Sequence, residues 1–219
     1  MPQTKRKQSR GKGRRGIILL LILILLALTA AAGVALRMLG WRGQQVQGTL
    51  TALVNPWNSV DSAGYKPTLI KVREVQVDQS CAEPLEQMLS DCEKAGCAPF
   101  LALGYISRGE LEKNSALSTE NETPGFSEHE LGLAVDIRDK DEANAAASKT
   151  AAWLRENAWQ YGFILRYPEG AEEITGLEPN AWHFRYVGEA AASQIQQLNI
   201  TLEEYTTMFF NESAAVVFE

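Results

Sequence analysis

Cysteine and histidine are both scarce in this 219-residue chain, at three and two residues. Three cysteines cannot staple a chain of this length, which excludes a disulfide-dense mini-protein. Acidic residues are missing from the first fifteen positions, where seven of the 21 basic residues lie (Lys5, Arg6, Lys7, Arg10, Lys12, Arg14 and Arg15). The remainder therefore carries 14 basic and 27 acidic residues, a balance of −13. Phosphate would repel such a domain, so a nucleic-acid binder is excluded.

Charge of either sign is missing from Ile17 to Leu36, twenty residues that open on an unbroken run of leucine and isoleucine. A helix of that length is roughly 30 Å, the thickness of a bilayer's hydrocarbon core. Basic residues on its N-terminal side predict a single-pass membrane anchor with residues 1–16 as a cytoplasmic tail. The rest then faces outward, towards the cell wall: a stalk at 37–47, a domain at 48–210 and a tail at 211–219. A cleaved signal peptide is the rival reading, since Ala30, Ala31 and Ala32 supply small residues at a plausible cleavage position. Outside the cytoplasm thiols can oxidise. Cys92 and Cys97 flank a helix stop at Gly96 closely enough to pair; buried free thiols are the alternative.

Within the domain, Gly48–Asn55 and Thr68–Val77 alternate apolar and polar residues in strand fashion. Ala82–Ala95 places Leu85, Met88, Leu89 and Cys92 on one helical stripe. Pro99–Ile106 reads as a strand and Ser107–Gly125 as a loop. Gly132–Ile137, Phe163–Tyr167 and Trp182–Val187 are strand-like. Glu142–Tyr161, Gly188–Leu198 and Leu202–Phe210 are helical. Strands and helices are segregated rather than strictly alternating, so the expected class is α+β.

The two histidines carry the chemical signal. His129 stands in Ser-Glu-His-Glu-Leu-Gly-Leu-Ala-Val-Asp, ending at Asp136, and His183 in Trp-His-Phe-Arg-Tyr-Val-Gly. Two histidines and one carboxylate form a recognised catalytic zinc set. His129 and Asp136 would lie roughly 23 Å apart on a continuous strand and roughly 10 Å apart along a helix. They meet only if the chain bends between them, and Gly132 permits the bend. Beyond it, Ala134 and Asp136 share one strand face while Leu133, Val135 and Ile137 take the other.

These motifs resemble the VanY-type D-alanyl-D-alanine carboxypeptidases, zinc enzymes of the bacterial cell envelope. The likeness includes Leu53-Val54-Asn55, Gly104-Tyr105, Tyr161 through Pro168, Ile174-Thr175-Gly176 and Leu202-Glu203-Glu204-Tyr205. It implies a small antiparallel sheet that carries Zn2+ on His129, Asp136 and His183, flanked by helices. It also implies a monomer acting on peptidoglycan stem peptides ending in D-Ala-D-Ala, with Tyr105, Ser127 and Trp182 near the substrate.

Three departures bear on activity. Counting back from His183, Asn180 stands where the family has its catalytic glutamate; Glu178, two residues further out, is the displaced candidate base. An asparagine cannot accept a proton from water, and general-base assistance is worth roughly 10²- to 10⁴-fold; Glu128 and Glu130 are the other carboxylates that would have to substitute. Ile106 replaces an arginine that holds the substrate's terminal carboxylate, leaving Arg108 as its stand-in if the strand continues. The segment between Tyr105 and Ser127 is short and lacks a helix bearing a glutamine, with Leu111 near that place. The expected function is a membrane-anchored zinc D,D-carboxypeptidase. The alternative is an impaired pseudoenzyme that binds wall peptides or a protein partner through the retained cleft.

Overall fold

The computed structural model describes residues 50–113, 123–140 and 148–210. The expected cytoplasmic tail, the apolar run at 17–36, the stalk and the C-terminal tail all lie outside the described residues. Among those described, no helix is long and apolar enough to cross a membrane.

A short helix, α1 (Val60–Ala63), precedes the first strands. The alternation from Thr68 to Val77 predicts one strand, but it folds back on itself as an antiparallel hairpin of β1 (Leu69–Val72) and β2 (Val75–Asp78). The turn falls at Arg73, whose φ of 50° no strand can contain. Its guanidinium is tied to Glu86 at 3.3 Å and Glu93 at 2.8 Å on the following helix, α2 (Gln79–Lys94). Asp78 caps α2 by accepting the Ser80 N–H at 2.8 Å, satisfying a donor the helix itself leaves unpaired. The predicted stripe of Leu85, Met88, Leu89 and Cys92 is buried.

The main sheet contains β3 (Pro99–Leu103), β4 (Ala134–Asp139), β5 (Phe163–Tyr167) and β6 (Asn180–Tyr186), antiparallel in the order β3-β4-β6-β5. Period-two alternation sends Val135, Ile137, Phe163 and Phe184 to one face, together with Leu133 just before β4. There they pack with Leu85, Met88 and Leu89 of α2 and with Leu154 of α4 (Lys149–Asn157). Each such fully buried side chain contributes about 1.5–3 kcal/mol. Ile164 belongs to a second cluster with Val187, Ala191, Ala192, Ile195, Leu202 and Tyr205, formed with α6 (Glu189–Leu198) and α7 (Leu202–Phe210). A one-turn helix, α5 (Glu172–Thr175), lies between β5 and β6. The architecture is the expected α+β.

Two local expectations fail. The alternating segment 48–55 forms no strand over its described residues; Leu50 is helical and Asn55 makes only an isolated bridge with Asn58. The Leu50 and Ala52 carbonyls accept from the buried Arg185 guanidinium at 2.9 and 3.1 Å, so they are not available to a ladder. The strand predicted through Ile106 ends at Leu103, and the expected loop begins instead with a helix, α3 (Arg108–Lys113), which buries Leu111.

Candidate metal centre

His129 is presented by a single 3-10 turn, Glu128–Leu131, between α3 and β4. Ser127 starts the turn, its Oγ accepting the His129 N–H at 3.2 Å. Gly132 ends it at φ 68°, the left-handed conformation that glycine adopts without penalty. A Cβ at Gly132 would also lie 3.0 Å from the Asp78 nitrogen, so two constraints select glycine. The bend reverses the chain's direction into β4, where Asp136 lies opposite His183 of β6 in register.

The three side chains converge, with one ligand atom from each within 4.8 Å of the others. His183 Nδ1 is 3.1 Å and His129 Nε2 is 3.5 Å from Asp136 Oδ1. The imidazole rings meet edge-on, centroids 4.9 Å apart at 81°. Zinc bonds of about 2.0–2.2 Å in a tetrahedron separate donors by roughly 3.3–3.6 Å. Of the two spacings to Asp136, one falls in that range and the other just below it, and the N,N,O donor set is one that zinc accepts, so the residues fit the ion. Burial alone would raise the Asp136 carboxyl, but hydrogen bonds with His129 and His183 outweigh it and hold the group well below the usual carboxylate range.

Beneath the triad lies a network of buried charge. Glu128, 1% exposed, accepts from Arg166 Nε at 2.8 Å and faces Arg185 Nη1 at 2.9 Å and His183 Nε2 at 3.4 Å. Arg166 also holds both carboxylate oxygens of Glu203, and Glu203 accepts from Asn55 Nδ2 at 3.1 Å. Burial opposes ionisation of Glu128, yet the two guanidinium groups hold its carboxyl far below its ordinary value. With Nδ1 of His183 turned towards the triad, ligation of an ion there would leave the ring proton on Nε2, facing Glu128 at 3.4 Å. This is the carboxylate–histidine arrangement that fixes a ligating ring.

The remaining expected residues are less centrally placed. Asn180 opens β6 opposite Tyr167, and its Oδ1 accepts the Trp182 N–H at 3.2 Å. That local turn accompanies a register shift in the β5–β6 pairing. Glu178 is exposed on the loop before β6. Glu128 and Glu130, the alternative bases, are both taken up: Glu130 accepts from Arg108 Nε at 2.9 Å and from the Gly125 N–H. Arg108 completes this arrangement with two 3.0 Å bonds to Asp61. Because β3 does not continue, Arg108 lies on a helix, and its guanidinium is engaged by two carboxylates instead of being presented on a strand face. Tyr105 is half-buried and donates its N–H to the Gln76 carbonyl at 2.6 Å. Trp182 is half-buried beside His183, under the Arg138 guanidinium at 4.9 Å.

The sequence model of VanY, D-alanyl-D-alanine carboxypeptidase, matches residues 74–189, more than half of the chain. The chain belongs to the VanY family. A family relative, the D-alanyl-D-alanine carboxypeptidase of Enterococcus faecalis, is 43% identical over 108 residues, covering 49% of this chain and 39% of the relative. The structure of VanYB in complex with D-alanine-D-alanine superposes with a TM-score of 0.63 at 30% identity, covering 73% of this chain and 98% of that one. A VanY variant from a VanB-type resistance cassette, in complex with Zn(II), gives 0.60 at 31% identity, covering 72% and 98%. This VanY-family chain spans about half the length of the curated relatives it matches, between 39% and 55%.

The network under the triad escaped sequence reading, although its members carry a signal. Arg166 and Arg185 sit within otherwise apolar strands, and a guanidinium at such a position must find buried carboxylates. Asn55 and Glu203 come from the first and last VanY-like motifs, and their hydrogen bond shows what those distant motifs have in common.

Proposed function

We propose that this protein is a zinc-dependent D-alanyl-D-alanine carboxypeptidase that trims peptidoglycan stem peptides ending in D-Ala-D-Ala, held at the outer face of the cell membrane by residues 17–36. The observation that carries the reading is the convergence of His129 Nε2, Asp136 Oδ1 and His183 Nδ1 on one buried point. These three residues would hold the ion. When bound, zinc supplies Lewis-acid polarisation of a carbonyl and makes water more acidic.

The chain's own residues do the rest. Glu128 keeps the His183 ring in the tautomer and orientation that ligation needs, and Arg166 and Arg185 keep Glu128 ionised. Ser127 and Gly132 fix the turn that aims His129. The last peptide bond of the substrate would lie across the triad. The proton released when water attacks requires an acceptor. Glu178 is assigned that role here, which requires its carboxylate to come within about 3 Å of the attacking water.

A second reading has a specific observation behind it. Asn180 hydrogen-bonds its own strand and cannot accept the proton, while Glu128 and Glu130 are both engaged by arginines. On this reading the chain keeps the metal and the cleft but has lost turnover, and binds wall peptides or a protein partner. D-alanine release from a peptide ending in D-Ala-D-Ala, with zinc measured on the same sample, separates the two. Release that Glu178→Gln abolishes supports the enzyme. A zinc-replete protein without release, which gains it through Asn180→Glu, supports the pseudoenzyme.

A further inference from the structure

We propose that Cys92 and Cys97 form a disulfide that staples the C-terminus of α2 to the start of β3. Neither residue belongs to the triad or to the buried network around Glu128, so the inference goes beyond the carboxypeptidase reading and does not rest on it.

The helix end supplies the geometry. The Gly96 N–H donates to the Glu93 carbonyl at 2.8 Å, and the Cys97 N–H to the Cys92 carbonyl at 3.1 Å. Gly96 itself is left-handed, at φ 77°. Two such bonds around a left-handed residue turn the chain back across the last turn of the helix, and a side-chain contact between the outer pair of residues commonly accompanies them. That outer pair is Cys92 and Cys97. With N and O 3.1 Å apart, covalent bond lengths limit the two Cα atoms to about 7 Å, inside the reach of a disulfide. The thiols already interact: burial first, and then the hydrogen bond with the Cys97 thiol, push the Cys92 thiol up. Cys81 is a poor rival. It is buried, its Sγ donates to the Asp78 and Gly132 carbonyls at 3.2 and 3.6 Å, and it lies roughly 16 Å along the helix from Cys92.

The position gives the bond a purpose. β3 is an edge strand of the main sheet, paired with β4, the strand that carries Asp136. Its entrance is a junction of three elements: Lys149 Nζ of α4 caps the Ala95 and Gly96 carbonyls at 2.9 and 3.0 Å, and the Ala98 carbonyl accepts the Lys140 N–H just beyond β4 at 3.0 Å. A covalent tie there holds the edge strand to α2 where sheet pairing holds it on one side.

The oxidant is a small-molecule disulfide, for which glutathione disulfide is the probe. Cys97, the partly exposed partner, loses its proton to solvent and attacks one sulfur of that disulfide. The S–S bond of the oxidant breaks, one thiolate leaves and takes up a proton, and a mixed disulfide forms on Cys97. Cys92 then gives its proton to solvent and attacks the Cys97 sulfur, and the second thiolate leaves and is protonated. Two cysteine thiols are oxidised and one disulfide is reduced to two thiols.

The test uses the full chain, reduced and then equilibrated under native conditions with excess glutathione disulfide. Intact mass should fall by two hydrogens with no glutathione attached. Trypsin, cutting after Lys94 between the two cysteines, should release two peptides that part only on reduction, and cleavage after Glu86 separates Cys81 from the bond. Iodoacetamide at pH 8 should label Cys97 in the reduced, folded chain and no cysteine in the oxidised one. Oxidation should raise Tm by roughly 4–9 °C, the effect of closing a short loop in a domain of this size, and Cys97→Ser should show no such rise. A stable mixed disulfide at Cys97, thiols that survive the oxidant, or a bond to Cys81 or to a second chain overturns the assignment. A Cys92–Cys97 bond that leaves Tm unchanged overturns its role as a staple.

Discussion

Replacing Glu128 with glutamine tests the buried network most sharply, because the substitution keeps shape and removes only charge. In the native chain one carboxylate faces two guanidinium groups at 2.8 and 2.9 Å, with all three side chains inaccessible to water. Arg166 retains Glu203 after the change, but Arg185 is left with only the carbonyls of Leu50, Ala52 and Tyr186. Breaking a buried ion pair by removing one partner costs about 3–5 kcal/mol, because the surviving charge stays desolvated. For a domain of this size that corresponds to a fall in Tm of roughly 6–20 °C. Urea unfolding of the metal-free protein measures the stability term directly. Zinc affinity, measured by competition with a chromophoric chelator, should also fall about 10- to 100-fold, because His183 loses the partner that orients it. A loss of stability below about 1 kcal/mol would refute the reasoning, since it would place Arg185 in adequate solvation without Glu128. Unchanged zinc affinity would remove Glu128 from any part in positioning His183.

Two further predictions concern regions away from the triad. Lys94, Gln87 and the Tyr161 hydroxyl hold the Asp91 carboxyl down at about 2, so its contribution to stability is complete above pH 3.8 and is lost as the pH falls towards 2. Asp91→Asn should therefore flatten the loss of stability over that window in acid-titrated urea melts; an unchanged slope would contradict the assignment. Burial pushes the Cys81 thiol up to about 12, whereas Cys97 is partly exposed. Iodoacetamide at pH 8 should give the folded chain one adduct, at Cys97, and mass-spectrometric detection of modified Cys81 in folded protein would count against the burial described.

The parts of this fold that could be read from sequence are those governed by local periodicity. Alternation in β4 placed Asp136 opposite the core residues Val135 and Ile137, and Gly132 marked the bend that returns His129 to it. The α2 stripe followed from helical spacing alone. The failures arise where long-range partners override local preference. Residues 48–55 alternate like a strand, but Arg185, more than 130 residues away, takes their carbonyls. The segment from Thr68 to Val77 alternates throughout, yet Arg73 breaks it because Glu86 and Glu93 on α2 offer its side chain two partners. Arg108 illustrates the same effect at the site: its proximity in sequence to the Gly104-Tyr105 motif suggested a substrate contact, while Asp61 and Glu130 claim it in three dimensions. Nothing in the local sequence identifies those partners.

The central claim is that three converging side chains hold zinc in a working carboxypeptidase. Its most direct measurement is D-alanine released per zinc-loaded chain from a stem peptide ending in D-Ala-D-Ala, with His183→Ala run beside the wild type. The account predicts one zinc per wild-type chain, D-alanine release that a chelator abolishes and added zinc restores, and loss of both metal and release in His183→Ala. Stoichiometric zinc without release would contradict the claim of turnover, and zinc content indifferent to His183→Ala would contradict the metal centre itself.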